Sequence, residues 1–583
     1  MWRGPKASAR LATGVIAMVV VVVLALIPPS RFCIPLKVAA SNEKSALLSV
    51  LADQYEKSRP VVNGRCVDVQ IFRVPSGEAE AALARGWDPN SDGAPEPDVW
   101  SPAAITWVNL LDFHRQAAGL ARIGPPGPPS IVQSPLAIAM LKPMAEAMGW
   151  PDKDIGWAEI FDLAQDPEGW ARYGHKEWGQ FKLGKTSPLS STSGLHALIA
   201  THYAGGGKGD GSAPEPRTLA FMRTVESSVV HYGDTVANYL KDLLASDRRG
   251  QAVQYVSAIA IEEKQIWDYN HGNPASDVPG PRGYVPVVPL VAIYPREGTL
   301  IANHPYVTLT TDDLKRRAAD DFLSYLQGPE AQDRFKSSAL RGYDRDPGPE
   351  ITKANYLDPG KPGSEFRLPV PAVIADIQAS WRAILRKSAR VLLVIDVGSS
   401  MADRVPDSPK TKLDVAKGAA SAALDGFASA DEVGLWSFSS ASGTDPPYRE
   451  VVAPAPISQQ KSILKREIEA LKPQGQRKAL YTTLEAAVAS MRARYDNTRI
   501  NAVVLLTDGG NDDPAGNNSL TDLQRTLIAQ PDEKFVRVFT VGFGSKADLN
   551  TLEDIALAGR GGAYSDKDKR AMDKILVAVI SNF

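Results

Sequence analysis

The feature that most constrains this chain is a twice-occurring alternation of short apolar strands with amphipathic helices, broken once by a proline- and glycine-rich tract. The first series opens with "IPLKVAAS" as a strand and "EKSALLSVLADQYEKS" as a helix. It continues through "CVDVQIFRV", "SGEAEAALARGW" and "PDVWSPA", read as strand, helix and strand. Strands separated by helical stretches cannot pair as hairpins, so the pattern predicts an α/β fold with parallel strands. "DRDPGPE" and "DPGKPGSEFRLPVP" then interrupt it, which places an interdomain linker within 345–388. From Arg390 a second series begins. Strands are predicted at 390–396, 433–438, 501–507 and 535–541, and helices at 411–428, 458–471, 479–495, 520–529 and 567–580. That order fits a doubly wound sheet with helices on each face. A chain of 583 residues exceeds one ordinary core, so division into several domains is expected.

The start of the chain carries a separate signal. Arg3, Lys6 and Arg10 precede an uncharged run from Leu11 to Pro28. A run of this length can cross a hydrocarbon core of roughly 30 Å. Positive charge ahead of it keeps the N-terminus inside and sends the rest outside. The run exits through "PPSRFC", which lacks the small residues of a cleavage site, so an uncleaved anchor is expected. Residues 1–32 are therefore assigned to a cytoplasmic stub and single transmembrane anchor of the cell membrane. Cys33 and Cys66, the only two cysteines, lie on the oxidising side, where a disulfide between them is expected. Two cysteines and seven scattered histidines do not make a zinc cluster. The formal net charge of −2 excludes the basic field of a nucleic-acid binder.

In the first unit, "GQFKLGKT" matches a phosphate-loop pattern by spelling. The match lacks the preceding buried strand, and Pro188 follows too closely for Lys185 and Thr186 to open a helix, so no nucleotide site is assigned. "SPLSSTSGLHALIA" is more informative. Ser190, Ser191, Thr192 and Ser193 precede an apolar helix, where one hydroxyl suffices as a cap and several make a cradle for a polar or anionic ligand. His196 near that cluster falls on the apolar helix face, so a serine hydrolase is not built from it.

Six segments in order, "IPLKVAAS", "DVWSPA", "SPLAIAM", "FKLGKTSPLSSTSG", "YPREGTL" and "FLSYLQGPEAQDRF", resemble a bacterial extracellular solute-binding protein of the two-lobed periplasmic type. The resemblance covers roughly residues 34–380, and a solute-binding-like domain is assigned to 33–380. It implies two α/β lobes closing over a ligand held by loops at strand ends. By match, Ser101, Ser134, Ser191, Thr192 and Ser193 would face the cleft, with residues 262–270 and Tyr294 contributed by the second lobe. The implied ligand is a small polar molecule or a peptide.

Residues 388–583 resemble a von Willebrand factor type A (VWA) domain through "VLLVIDVGSSM", "KLDVAKGAASAAL", "DEVGLWSFSS", "KALYTTLEAAVASM", "NAVVLLTDGGNDDP" and "VFTVGFGSKAD". Metal-binding members of that family hold magnesium or manganese with an Asp-x-Ser-x-Ser loop, a threonine and a second aspartate, the oxygen donors that hard cations require. Here Asp396, Ser400 and Asp508 match. Gly398 replaces the first serine, and Lys478 in "GQRKALY" stands where the threonine belongs. Ser399 is one residue out of place, and Thr482 lies about one helical turn, roughly 5 Å, past Lys478. An ammonium cannot ligate a cation. A metal-free site with Lys478 bridging Asp396 and Asp508 is expected, magnesium or manganese entering only if the degenerate site still binds.

The resulting expectation is a membrane-anchored extracytoplasmic binding protein, not an enzyme, with a solute-binding-like module and a VWA module that docks a protein partner. The alternative is the solute receptor of an ABC-type importer.

Overall fold

The computed structural model describes residues 33–277, 283–405, 408–439, 446–475, 478–512, 519–544, 547–565 and 572–583. The expected anchor at Leu11–Pro28 lies outside them. Among the described residues no helix is long and apolar enough to cross a membrane. The architecture is mixed α/β with three sheets.

The first sheet orders its strands as Val307–Thr308, Val99–Ser101, Ile34–Ala40, Arg65–Arg73 and Val61–Val62. Ile34–Ala40 pairs in parallel with Arg65–Arg73 and with Val99–Ser101, and its inward side chains Leu36 and Val38 are fully buried. Ile34 sits opposite Val67, which brings the preceding residues together, and Cys33 and Cys66 form a disulfide with Cα atoms 4.4 Å apart. The second sheet is built on Val132–Leu141, buried at every position and therefore apolar almost throughout. It pairs antiparallel with Ala258–Glu262 and Leu290–Ile293, and Leu183–Thr186 and Val229–Gly233 extend the sheet to its edge. These sheets form two lobes, with Val307–Thr308 returning to the first and Ile301–Ala302 pairing in the second.

The third sheet has six strands: Tyr448–Pro456, Glu432–Phe438, Ala389–Asp396, Ile500–Thr507, Arg537–Gly542 and Ala563–Ser565. Only Tyr448–Pro456 runs antiparallel. Pro454 and Pro456 hide that strand from a sequence reading, because proline removes a ladder donor. It is tolerated at an edge, and Gly434 opposite leaves the space that Pro454 fills, a Cβ there meeting its ring at 2.8 Å. Helix Leu549–Ala558 and strand Ala563–Ser565 were likewise not predicted. The strand predicted at 535–541 starts at Arg537, and the last helix is described over Met572–Ile580.

The tract expected to be a linker contains structure. Pro371–Ser380 is a helix that opens on a proline at its first position, where a missing N–H costs nothing. Val373, Ile374 and Ile377 bury one face, and the Gln378 side chain donates to Pro188 O at 2.8 Å. The third sheet is thereby held against the second lobe. Asn582 and Arg537 of this unit cover the edge strand Val229–Gly233: Tyr232 N donates to Asn582 O at 2.9 Å and Arg537 Nε donates to Val230 O at 3.3 Å. Covering an edge removes a row of open backbone groups from solvent.

Candidate functional site

Five helices begin at one place between the lobes. They are Asn42–Lys57 and Ser76–Arg85 of the first lobe, and Thr192–Ala204, Val236–Arg248 and Glu263–Asn270 of the second. Their N-cap residues Ser41, Pro75, Ser191, Thr235 and Glu262 all line a single cavity of about 30 Å³. Each helix start carries unpaired N–H groups and the positive end of a dipole. Five together make a cradle for oxygen atoms bearing negative charge. The volume admits a few water-sized groups.

The lobes touch closely around this cavity. Gly77 N donates to Ser190 O at 3.0 Å. A Cβ at Gly77 would meet Leu189 O at 2.2 Å and Ser190 Cα at 2.7 Å, so only glycine permits the approach. Arg73 pairs with Asp277 at 2.5 Å across the lobes, and Trp107 Nε1 donates to Thr192 Oγ1 at 2.8 Å.

Three carboxyl groups stand at the same place: Glu43, Asp234 and Glu262. Asp234 accepts both Asn238 Nδ2 contacts at 3.0 Å. Burial pushes Glu262 up to about 8, so it is largely protonated at neutral pH and presents an O–H donor. Its Oε2 and the buried His304 Nε2, 3.4 Å apart, have no hydrogen-bond partner among the described residues. Burial also takes Lys44 down to about 8 and His304 down to about 3. Lys44 Nζ bonds Pro102 O at 3.0 Å and His304 Nδ1 at 3.2 Å, beneath Ser41 and Glu43.

The residues named by sequence divide. Ser191, Thr192 and Ser193 line the cavity, and so does Glu262 of the 262–270 stretch. Ser191 and Thr192 also hold internal bonds, with Thr186 Oγ1 at 2.8 Å and the Trp107 ring. Ser101, Ser134 and Tyr294 are not part of the lining. Ser101 is fully buried and donates to Pro305 O at 2.9 Å. Ser134 is fully buried and accepts from Lys264 N at 3.4 Å. Tyr294 turns behind the cleft to donate to Glu263 Oε2 at 2.7 Å, on a carboxylate that Arg341 grips twice. His196 is buried against Thr106 Oγ1 at 3.1 Å, and burial lowers it to about 3. Lys185, from the phosphate-loop spelling, lies inside a strand and pairs with Glu226. Gln265 of the same stretch lines it too, whereas Glu43 and Asp234 were missed. The recurrent signal for them was a strand followed by a capping residue, as in "AASNEK" and "YGDTVAN".

At the top of the third sheet, Asp396 ends its strand fully buried. Its Oδ1 accepts Gly398 N at 2.8 Å, and its Oδ2 accepts Thr507 Oγ1 at 2.7 Å. Lys478 Nζ lies 3.5 Å from Asp396 Oδ2 and in contact with Asp508 Oδ1. A second cation, Lys412, reaches Asp508 Oδ2 at 2.8 Å. Burial lowers the Lys478 ammonium, opposed by the Asp396 charge. Gly398 and Lys478 are complementary: a Cβ at 398 would come within 3.2 Å of Lys478 Cγ and 3.3 Å of its Cε. The lysine stem occupies the place a serine side chain would need. Ser400 Oγ is buried without a partner among the described residues. This donor set does not fit a divalent cation, because two ammonium groups take the carboxylate lone pairs and position 398 supplies no side-chain oxygen.

A family model described as bacterial extracellular solute-binding protein matches residues 36–341, and one for the von Willebrand factor type A domain matches residues 391–511. No curated protein matches significantly. Among solved structures, a periplasmic thiamin binding protein is similar at 13% identity and TM-score 0.39, covering 60% of this chain and 96% of its own. The sulfate-binding protein SubI from Mycobacterium tuberculosis H37Rv is similar at 15% identity and TM-score 0.36, covering 56% and 92%. A von Willebrand factor type A protein from Catenulispora acidiphila is similar at 20% identity and TM-score 0.27, covering 33% and 42%.

Proposed function

The chain belongs to the bacterial extracellular solute-binding protein family, and from that premise we propose that it is a membrane-anchored extracytoplasmic receptor for a small oxygen-rich solute. The observation that carries this reading is the convergence of five helix N-termini on one closed cleft. Amide and hydroxyl donors there suit acceptor oxygens, while Asp234 and Glu43 accept from a ligand proton. A protonated oxyanion or a small polyol supplies such a combination. The cavity favours these over a peptide, which needs an opened cleft. Thermal unfolding of the full chain against a panel of oxyanions and polyols tests it. A rise in Tm with at least one compound is expected. No response to the whole panel at millimolar concentration removes the reading.

The VWA domain acts as the protein-docking module, and its metal edge works without a metal. Lys478 and Lys412 carry the positive charge that a cation would supply, so a partner is recognised without a shared ion. Calorimetric titration with Mg²⁺ and Mn²⁺ checks this, with no binding expected; micromolar affinity would overturn it. The run Leu11–Pro28 holds the protein at the cell membrane with its domains outside. Release of the protein from membranes by high salt alone would rule that out.

A further inference from the structure

A second polar cavity lies where the VWA domain meets the second lobe, and no feature of the solute cleft or the metal edge uses it. It encloses about 80 Å³. Lys182 and Arg560 enter it beside Asp532, at 3.3 Å and 2.7 Å. Lys387, from the segment joining the domains, and Arg537, the first residue of its strand, enter it as well. Arg499 also reaches the cavity, but Asp496 at 3.1 Å and Glu432 at 3.4 Å already balance it.

The remaining charges do not balance. Lys182, Lys387, Arg537 and Arg560 face the single carboxylate of Asp532, an excess of three positive charges at the domain boundary. Arg537 is 7% exposed and Arg560 8% exposed. Arg537 donates to carbonyl oxygens, those of Val230 and Arg560. The Lys387 ammonium has no hydrogen-bond or ion-pair partner among the described residues, while its backbone N–H donates to Tyr232 Oη at 3.2 Å. Burial and then Arg537 take Lys387 down to about 8, with Asp496 opposing. Burial also lowers Lys182, opposed by Asp532. Asp532 ends below its ordinary value, because Lys182 and Arg560 together outweigh its burial. Buried like charges in a polar cavity repel and lose hydration, and both costs are removed by a counter-anion. Guanidinium groups are the preferred partners of tetrahedral oxyanions.

The geometry points to an anion-binding site between the solute-binding and VWA domains, built by Lys182, Lys387, Arg537 and Arg560 and taking a compact multivalent oxyanion of the phosphate or sulfate class. Two of the four cations come from the VWA strand Arg537–Gly542 and the turn after helix Leu549–Ala558, one from the second lobe and one from the connection. The anion therefore joins the two domains. This site is separate from the interlobe cleft and does not depend on the reading given to it.

Calorimetry of the full chain with inorganic phosphate and with sulfate, at constant ionic strength with chloride as background, is the test. Saturable binding is expected, and Lys387→Met should weaken it at least tenfold. Lys182→Met, whose ammonium already pairs with Asp532, should weaken it less. A proton signature separates this site from the cleft. At pH 8.5 the anion restores the proton on Lys387, so the binding heat of the wild type must change with the ionisation enthalpy of the buffer, and that change must vanish in Lys387→Met. Phosphate bound in the cleft would survive Lys387→Met with unchanged affinity. The proposal is overturned if neither anion binds, or if binding is unaffected by both lysine substitutions.

Discussion

The interlobe cleft and the metal edge of the VWA domain each bury carboxyl groups beside helix and loop N–H donors, and they neutralise them differently. In the cleft, Glu262 is neutralised by a proton, because burial raises it to about 8 and its Oε2 has no cation in contact. At the VWA edge, Asp396 and Asp508 remain acceptors and are neutralised by Lys478 and Lys412. A proton leaves the site open and adds a donor. A lysine fills the coordination positions with a covalently fixed charge. One region keeps a carboxyl oxygen without a hydrogen-bond partner, and the other closes its carboxylates with ammonium groups.

Removing the fixed charge should have the largest effect. Lys478→Ala leaves buried carboxylates under-compensated and should cost about 3 kcal/mol in urea unfolding. A loss below about 0.5 kcal/mol would show that Lys478 does not neutralise the edge. Next, Gly77→Val should prop the cleft open through the clash with Leu189 O, lowering affinity for the solute about 100-fold, or about 2.7 kcal/mol. Unchanged affinity, measured by calorimetry, would separate lobe contact from binding.

Glu262→Gln sharpens the proton side of the contrast. The folded state of the wild type binds more protons than the unfolded state between an ordinary carboxyl value of about 4.5 and the raised value of about 8. Wild-type stability therefore falls as pH rises through that window. Glutamine keeps the neutral shape without this penalty. The variant should be more stable by about 3 kcal/mol at pH 7, the advantage growing toward pH 8 and vanishing below pH 4.5. Equal stabilities at pH 5 and pH 8 would contradict a protonated Glu262. The smallest effect is expected from Gly398→Ser combined with Lys478→Thr, which restores two oxygens while Lys412 remains. It should gain weak Mn²⁺ binding, stabilising the fold by about 1 kcal/mol at saturating ion. Tm with and without Mn²⁺ reads this gain.

Much of the fold was legible because it rests on local pattern. Strands such as Val132–Leu141 and Ile500–Thr507 are buried throughout, and their apolar runs say so. The meeting of Asp396, Gly398 and Lys478 was legible too, from the spacing by which this segment resembles a VWA domain. Lys412 was not, because its Nζ reaches Asp508 across 96 residues with no motif linking them. Tyr294 failed for the opposite reason. Its place near the second lobe's strand was read correctly, but Arg341, brought in from distant sequence, fixes Glu263 and draws the Tyr294 hydroxyl away from the cleft.

By itself the sequence determined the two α/β units, the disulfide partners, the hydroxyl cluster at Ser191–Ser193 and the lysine that meets two aspartates at the VWA edge. Those follow from periodicity, from residue type and from short spacing. Only the tertiary structure decided that five helix starts share one cavity, that a helix occupies the tract between the units, and that four cations gather where the domains meet. The shared cavity and the cation cluster join residues more than a hundred positions apart, and the helix is held by Pro188, 190 positions away. Chain folding brings them together to bury apolar faces, and no local pattern records which polar ends meet as a result.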